Sequence, residues 1–97
     1  MVQTVRSVSI PPGHKLCIIE KPHVLRRFFF SVCAFVPQTS WHESQISLGD
    51  PNFLSNYVLG GSVNYFEARG EGIFQGDIWV RNVSGLDLLY SATEILI

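Results

Sequence analysis

"VNYFEARGEGIFQGDIWVRNVSGLDLLYSATEILI" occupies Val63 to Ile97. Apolar and polar residues alternate through most of it, and glycines or a Val-Ser-Gly triplet interrupt the alternation. Such a pattern marks half-buried strands bounded by turns. The spacing predicts three strands: Val63 to Arg69, Ile73 to Asn82, and Leu86 to Ile97, joined at Gly70-Glu71-Gly72 and Val83-Ser84-Gly85. Links this short bring consecutive strands back antiparallel, because parallel neighbours need a crossover of about a dozen residues or more. The last strand ends in Glu94-Ile95-Leu96-Ile97, an apolar run expected to pair inside a sheet or against a partner.

The rest of the chain has the same style. Val2 to Ile10 reads as a strand stopped by Pro11-Pro12-Gly13, and His14 to Lys21 as a second. In the second, Lys15, Cys17 and Ile19 oppose Leu16, Ile18 and Glu20, so both faces are partly apolar. Burial on both sides, or pairing with another subunit, is expected there. The longest run, VLRRFFFSVCAFV, spans Val24 to Val36. A hairpin turning at Lys21-Pro22-His23-Val24 would set Cys17 opposite Phe28 and leave Cys33 beyond a disulfide's reach, so two free thiols are expected.

Residues 37–59 are the least regular, with a short strand expected over His42 to Leu48 and a turn at Gly49-Asp50-Pro51-Asn52. A helical turn over Phe53 to Tyr57 fits next, before Gly60-Gly61 breaks the chain. Six to eight strands with no internal repeat make one all-β domain over residues 1–97. It is expected to be an antiparallel β-sandwich, with the jelly roll among the arrangements that fit.

Charge is scarce. Only 15% of the residues are charged against 46% hydrophobic, where about 25% charged is usual for a soluble domain. Surface that lacks charge is expected to be covered, and self-association covers it most simply. A net charge of −1, with Arg26-Arg27 the only adjacent basic pair, argues against a nucleic-acid partner. No apolar run reaches the length of a spanning helix, so no membrane partner is expected. The N-terminus shows neither the apolar run nor the cleavage site of a signal peptide, so synthesis in the cytoplasm is expected. The sequon Asn82-Val83-Ser84 then reads as accidental.

Two places could carry function. Period-2 geometry puts Gln75, Asp77, Trp79 and Arg81 on one face of their strand, opposite Phe74, Ile78 and Val80. A ring between a carboxylate and a guanidinium suits stacking on a sugar or anchoring a protein partner. It suits an ordinary solvated face equally well. The other place is the loop bearing Trp41, His42 and Glu43, where Trp41 either binds something or closes the end of the core.

Catalysis finds no such pattern. His14, His23 and His42 lie 9 and then 19 residues apart, without metal-ligand spacing, and nothing sets a base beside a Ser or Cys nucleophile. A non-enzyme without catalytic residues, metal or cofactor is expected.

Three segments, SVSIPPGHKLCII (7–19), FEARGEGIFQGDIWVRN (66–82) and LLYSATEILI (88–97), together resemble the small β-sandwich structural proteins of tailed bacteriophages, of the capsid decoration (cement) or head–tail accessory type. The resemblance implies a structural chain that forms a homo-oligomer, a trimer by preference, docks on a larger protein shell and ends up in the virion. The alternative is a carbohydrate-binding, lectin-like module that uses Asp77, Trp79 and Arg81 with Trp41.

Overall fold

In the computed structural model, residues 2–20, 26–35, 42–54, 57–61, 65–74 and 77–97 are described. They form eight strands: β1 (Val2–Ile10), β2 (Lys15–Ile19), β3 (Arg26–Phe35), β4 (His42–Leu48), β5 (Tyr57–Gly61), β6 (Tyr65–Phe74), β7 (Ile78–Asn82) and β8 (Leu88–Leu96). Two antiparallel four-stranded sheets result, ordered β1-β8-β3-β6 and β2-β7-β4-β5.

That order has a simple origin. β1 pairs with β8, β2 with β7, β3 with β6 and β4 with β5, so the first half of the chain lies antiparallel along the second. Paired residue numbers total 98 for Val2 and Leu96, 96 for Lys15 and Arg81, 100 for Arg26 and Phe74, and 103 for His42 and Gly61. A nearly constant total describes one long hairpin, folded about the Gly49-Asp50-Pro51-Asn52 turn. Rolling it up lays β8 beside β3 and β7 beside β4. The product is a jelly roll, an antiparallel β-sandwich whose two sheets share one core.

Several local expectations change. β2 and β3 are not a hairpin: Cys17 lies opposite Trp79, and Phe28 lies opposite Gly72 and Leu96 in the other sheet. The reason is burial, since the apolar faces of both strands can be covered only by placing them in opposing sheets. Cys17 and Cys33 remain free thiols all the same. The two apolar faces of β2 come from a bulge between Cys17 and Ile19, which turns both Ile18 and Ile19 into the core. Arg6 supports this bulge, its Nη1 donating to the carbonyls of Cys17 and Ile18 at 3.2 Å each.

Glycines mislead in two places. Gly70, Glu71 and Gly72 lie inside β6, in register with Phe30, Phe29 and Phe28, rather than in a turn. A Cβ at Gly70 would stand 2.4 Å from Cε1 of Phe30, so the glycine makes room for that ring. Gly60 and Gly61 end β5 and pair with Glu43 and His42. The strand expected over Ile73 to Asn82 is divided, because Phe74 ends β6 in one sheet and Ile78 begins β7 in the other. No helical turn starts at Phe53, whose φ is +55°, and Tyr57 opens β5.

The core lies between the sheets. Phe28, Phe30, Val32, Leu88, Tyr90 and Ala92 face Ile18, Ile46, Ile78 and Val80 across it. Phe28 and Phe30 stack with ring centroids 5.7 Å apart. Polar groups join the layers: Ser44 of one sheet and Tyr90 of the other share a short hydrogen bond between hydroxyls. Asn82 is fully buried, its Nδ2 donating to the carbonyls of Ile10 (2.8 Å) and Leu86 (2.7 Å). Its Oδ1 accepts from the backbone N–H and the hydroxyl of Ser84. The sequon asparagine is thus a structural tie inside the fold. At the same end of β1, Pro12-Gly13 form a turn in which His14 N donates to Pro11 O and Gly13 adopts φ +75°, as a type II turn requires.

Candidate functional site

A sandwich presents two outer faces, and the sequence-derived residues fall on one of them. On the β2-β7-β4-β5 sheet, Trp79 of β7 stands between Cys17 of β2 and Ser47 of β4, and Arg81 stands between Lys15 and Gln45. Ile78, Val80 and Asn82 point inward, so the expected alternation is present. Asp77 immediately precedes the strand, and its carbonyl accepts from Gly49 N at 2.6 Å. Gln75 and Trp41, expected to belong to the site, lie outside the described residues.

This face is roofed by the chain itself. Ser47 Oγ donates to the carbonyl of Asp50, and the Asp50 carboxylate accepts from the N–H groups of Asn52 and Leu54, both at 2.8 Å. That turn holds Phe53 in the left-handed region, an uncommon conformation for a bulky residue. Phe53 is buried against Arg81, whose guanidinium carbon lies 4.4 Å from the ring centroid. Arg81 also donates to Gln45 Oε1 at 3.3 Å. Lys15 Nζ donates to the carbonyl of Pro51 at 2.5 Å and lies 5.8 Å from the centre of the Trp79 ring. Ser47 is fully buried although it points outward, which measures how well the loop covers the sheet. Both cations on this face are therefore already engaged by aromatic rings and carbonyls.

The other outer face, on β1-β8-β3-β6, was not singled out by the sequence. Register sets its rows: Gln3, Ile95 and Phe29; Val5, Thr93 and Ser31; Ser7, Ser91 and Cys33; then Ser9 beside Leu89. These are four residues from β1, four from β8 and three from β3, and none of the eleven is charged. Val5 is 65% exposed and Leu89 59%, while Ser7 and Ser91 join their hydroxyls at 3.1 Å. Charge returns only along the edge strand β6, where Glu67, Arg69 and Glu71 alternate in sign, and at Arg27 at one end of β3. Arg69 and Glu67 form an ion pair. A shallow depression of about 330 Å³ lies between Phe29, Ser31, Arg69, Thr93 and Ile95. The signal was legible as two alternating rows, Gln3-Val5-Ser7-Ser9 and Leu89-Ser91-Thr93-Ile95, but only register shows that they are neighbours.

Neither face gathers reactive chemistry among the described residues. Burial first, then the charges of Asp77 and Glu20, push the Cys17 thiol up to about 11, only partly offset by Arg6. It stays protonated at neutral pH and is a poor nucleophile. His14 hydrogen-bonds through Nδ1 to the carbonyl of Pro12 on the surface. No group of three or more His, Cys, Asp or Glu side chains is placed to hold a metal ion among the described residues. No protein-family model matches the sequence, and no curated protein matches it either.

Proposed function

We propose that this chain is a non-enzymatic structural module that self-associates and takes its place in a larger protein assembly, such as a virion. The observation that carries this reading is the uncharged outer face over β1, β8 and β3. Eleven neighbouring outward residues there carry no charge. A monomer gains nothing from three adjacent strands whose outward side chains, apart from Arg27 at one end of β3, are uncharged, whereas interface cores are depleted in charge. Jelly rolls serve viral shells, lectins and cupins alike, so the fold by itself does not choose among these roles. The resemblance to phage decoration and head–tail accessory proteins favours the first, with the chain remaining where it is made until it assembles.

The carbohydrate-binding reading has less support. Lys15 lies over Trp79 and Phe53 over Arg81, so a sugar would have to displace contacts the protein already makes. Light scattering coupled to size-exclusion chromatography tests the proposal. A mass that is an integral multiple of the monomer, stable to dilution into the low micromolar range, is the expected result; a monomer at every concentration would refute self-association.

A further inference from the structure

The geometry points to a specific partner for the uncharged face: the same face of a second copy, related by a two-fold axis. This inference rests on the self-association proposed above and adds which surface is used and with what symmetry. A two-fold contact presents one patch to itself, so the patch must be self-complementary. A row of like charges would fail that requirement, whereas hydroxyls and apolar groups such as Ser7, Ser91, Thr93 and Val5 meet copies of themselves without repulsion.

The size is sufficient. The strands β1, β8 and β3 together with the charged rim strand β6, about 4.8 Å apart and each rising about 3.3 Å per residue over about nine residues, span on the order of 550 Å². Two copies then bury on the order of 1,100 Å², against about 1,000 Å² for a specific contact. The anatomy also fits. The uncharged centre is bordered by Glu67, Arg69 and Glu71, whose alternating signs supply a polar rim able to pair across the axis. A trimer, which the phage resemblance implies, needs two different complementary patches on each copy. The opposite outer face is roofed by the 49–54 loop and does not offer the second. A two-fold pair is the simpler closure.

The test compares the two faces by sedimentation equilibrium of the full chain. Val5 and Leu89 are exposed, so Val5→Lys with Leu89→Lys should leave the fold intact, checked by circular dichroism. The wild type is expected to sediment as a dimer, and the double variant as a monomer with a dissociation constant raised at least 100-fold. Leu54→Lys, beside the roofed face and 88% exposed, should leave the dimer unchanged. If the double variant does not fold, Leu89→Lys alone carries the same comparison. A multimeric wild type indifferent to the charges at Val5 and Leu89, or one of higher order than two, overturns this inference while leaving self-association standing. A strictly monomeric wild type overturns both.

Discussion

The two outer faces of this jelly roll are built on one core and have opposite chemistry. The β2-β7-β4-β5 face carries Lys15, Asp77, Arg81 and Glu43, and the chain covers it with its own central turn, Phe53 packing on Arg81. The β1-β8-β3 face carries charge only at Arg27, at one end of β3, and no turn among the described residues lies over it. A charged face can be finished by a loop, since cations find carbonyls and rings close at hand. An uncharged face of hydroxyls and short apolar side chains has nothing to engage such a loop and is better finished by another surface. A row of conspicuous residues such as Asp77, Trp79 and Arg81 therefore need not mark the binding side of a sandwich. Here the plain side is the one left uncovered.

The comparison requires that both faces stand on one rigid interior, and the severest challenge to it is to cut the tie at Asn82. Asn82→Ala removes an amide that serves the carbonyls of Ile10 and Leu86 as well as Ser84. Stranding those buried groups should cost about 3 kcal/mol or more in a denaturant titration. A loss below about 1 kcal/mol would show that the tie is dispensable.

A milder change acts beneath the uncharged face alone. In Gly70→Ala the new methyl meets the Phe30 ring, which is locked in the core, and about 1–3 kcal/mol of stability should be lost. If the variant is as stable as the wild type, Phe30 has room to move and β6 is looser than its register implies.

Alkaline pH separates the sheets by their titrating groups. Burial raises Tyr90 from 10.0 to about 12, with the Ser44 hydrogen bond opposing it, and Cys17 is raised from 9.0 to about 11. Both groups hold their protons more tightly folded than unfolded. Their contribution is therefore fully present below the unfolded value and is lost as pH rises through the folded one. The melting temperature should fall from pH 9 to pH 12, and Cys17→Ser should remove the part of the fall lying between pH 9 and 11. A flat profile in the wild type over that range would contradict both shifts.

The smallest effect concerns the roof. Arg81→Ala forfeits the stacking on Phe53 and the bond to Gln45, and about 0.5–1 kcal/mol is expected, with no change in association. A variant that loses self-association would reverse the assignment of the two faces.

Much of the fold could be read from residue order. The alternation in Ile78 to Asn82 and Leu88 to Leu96 gave both strand and inward face, and Asp50-Pro51-Asn52 gave the central turn about which the chain doubles back. Pairing could not be read, because a strand's alternation says which face is buried but not which strand lies beside it. Hence sequence order points to β3 as the neighbour of β2, although both need cover from the opposite sheet. Gly70 and Gly72 resemble turn residues for the same reason: without the register, nothing indicates that Phe30 lies across Gly70. The uncharged face was hidden by long-range pairing too. Ser7 and Ser91 are 84 positions apart and meet only when the hairpin closes.

Hydroxyl-radical footprinting at two protein concentrations, one well below and one well above the self-association midpoint, tests the contrast between faces most directly. Burial of the uncharged face requires that oxidation of Leu89 and Val5 drop at the higher concentration while Trp79 and Leu54 react equally at both. Protection of Trp79 with Leu89 unchanged would contradict it.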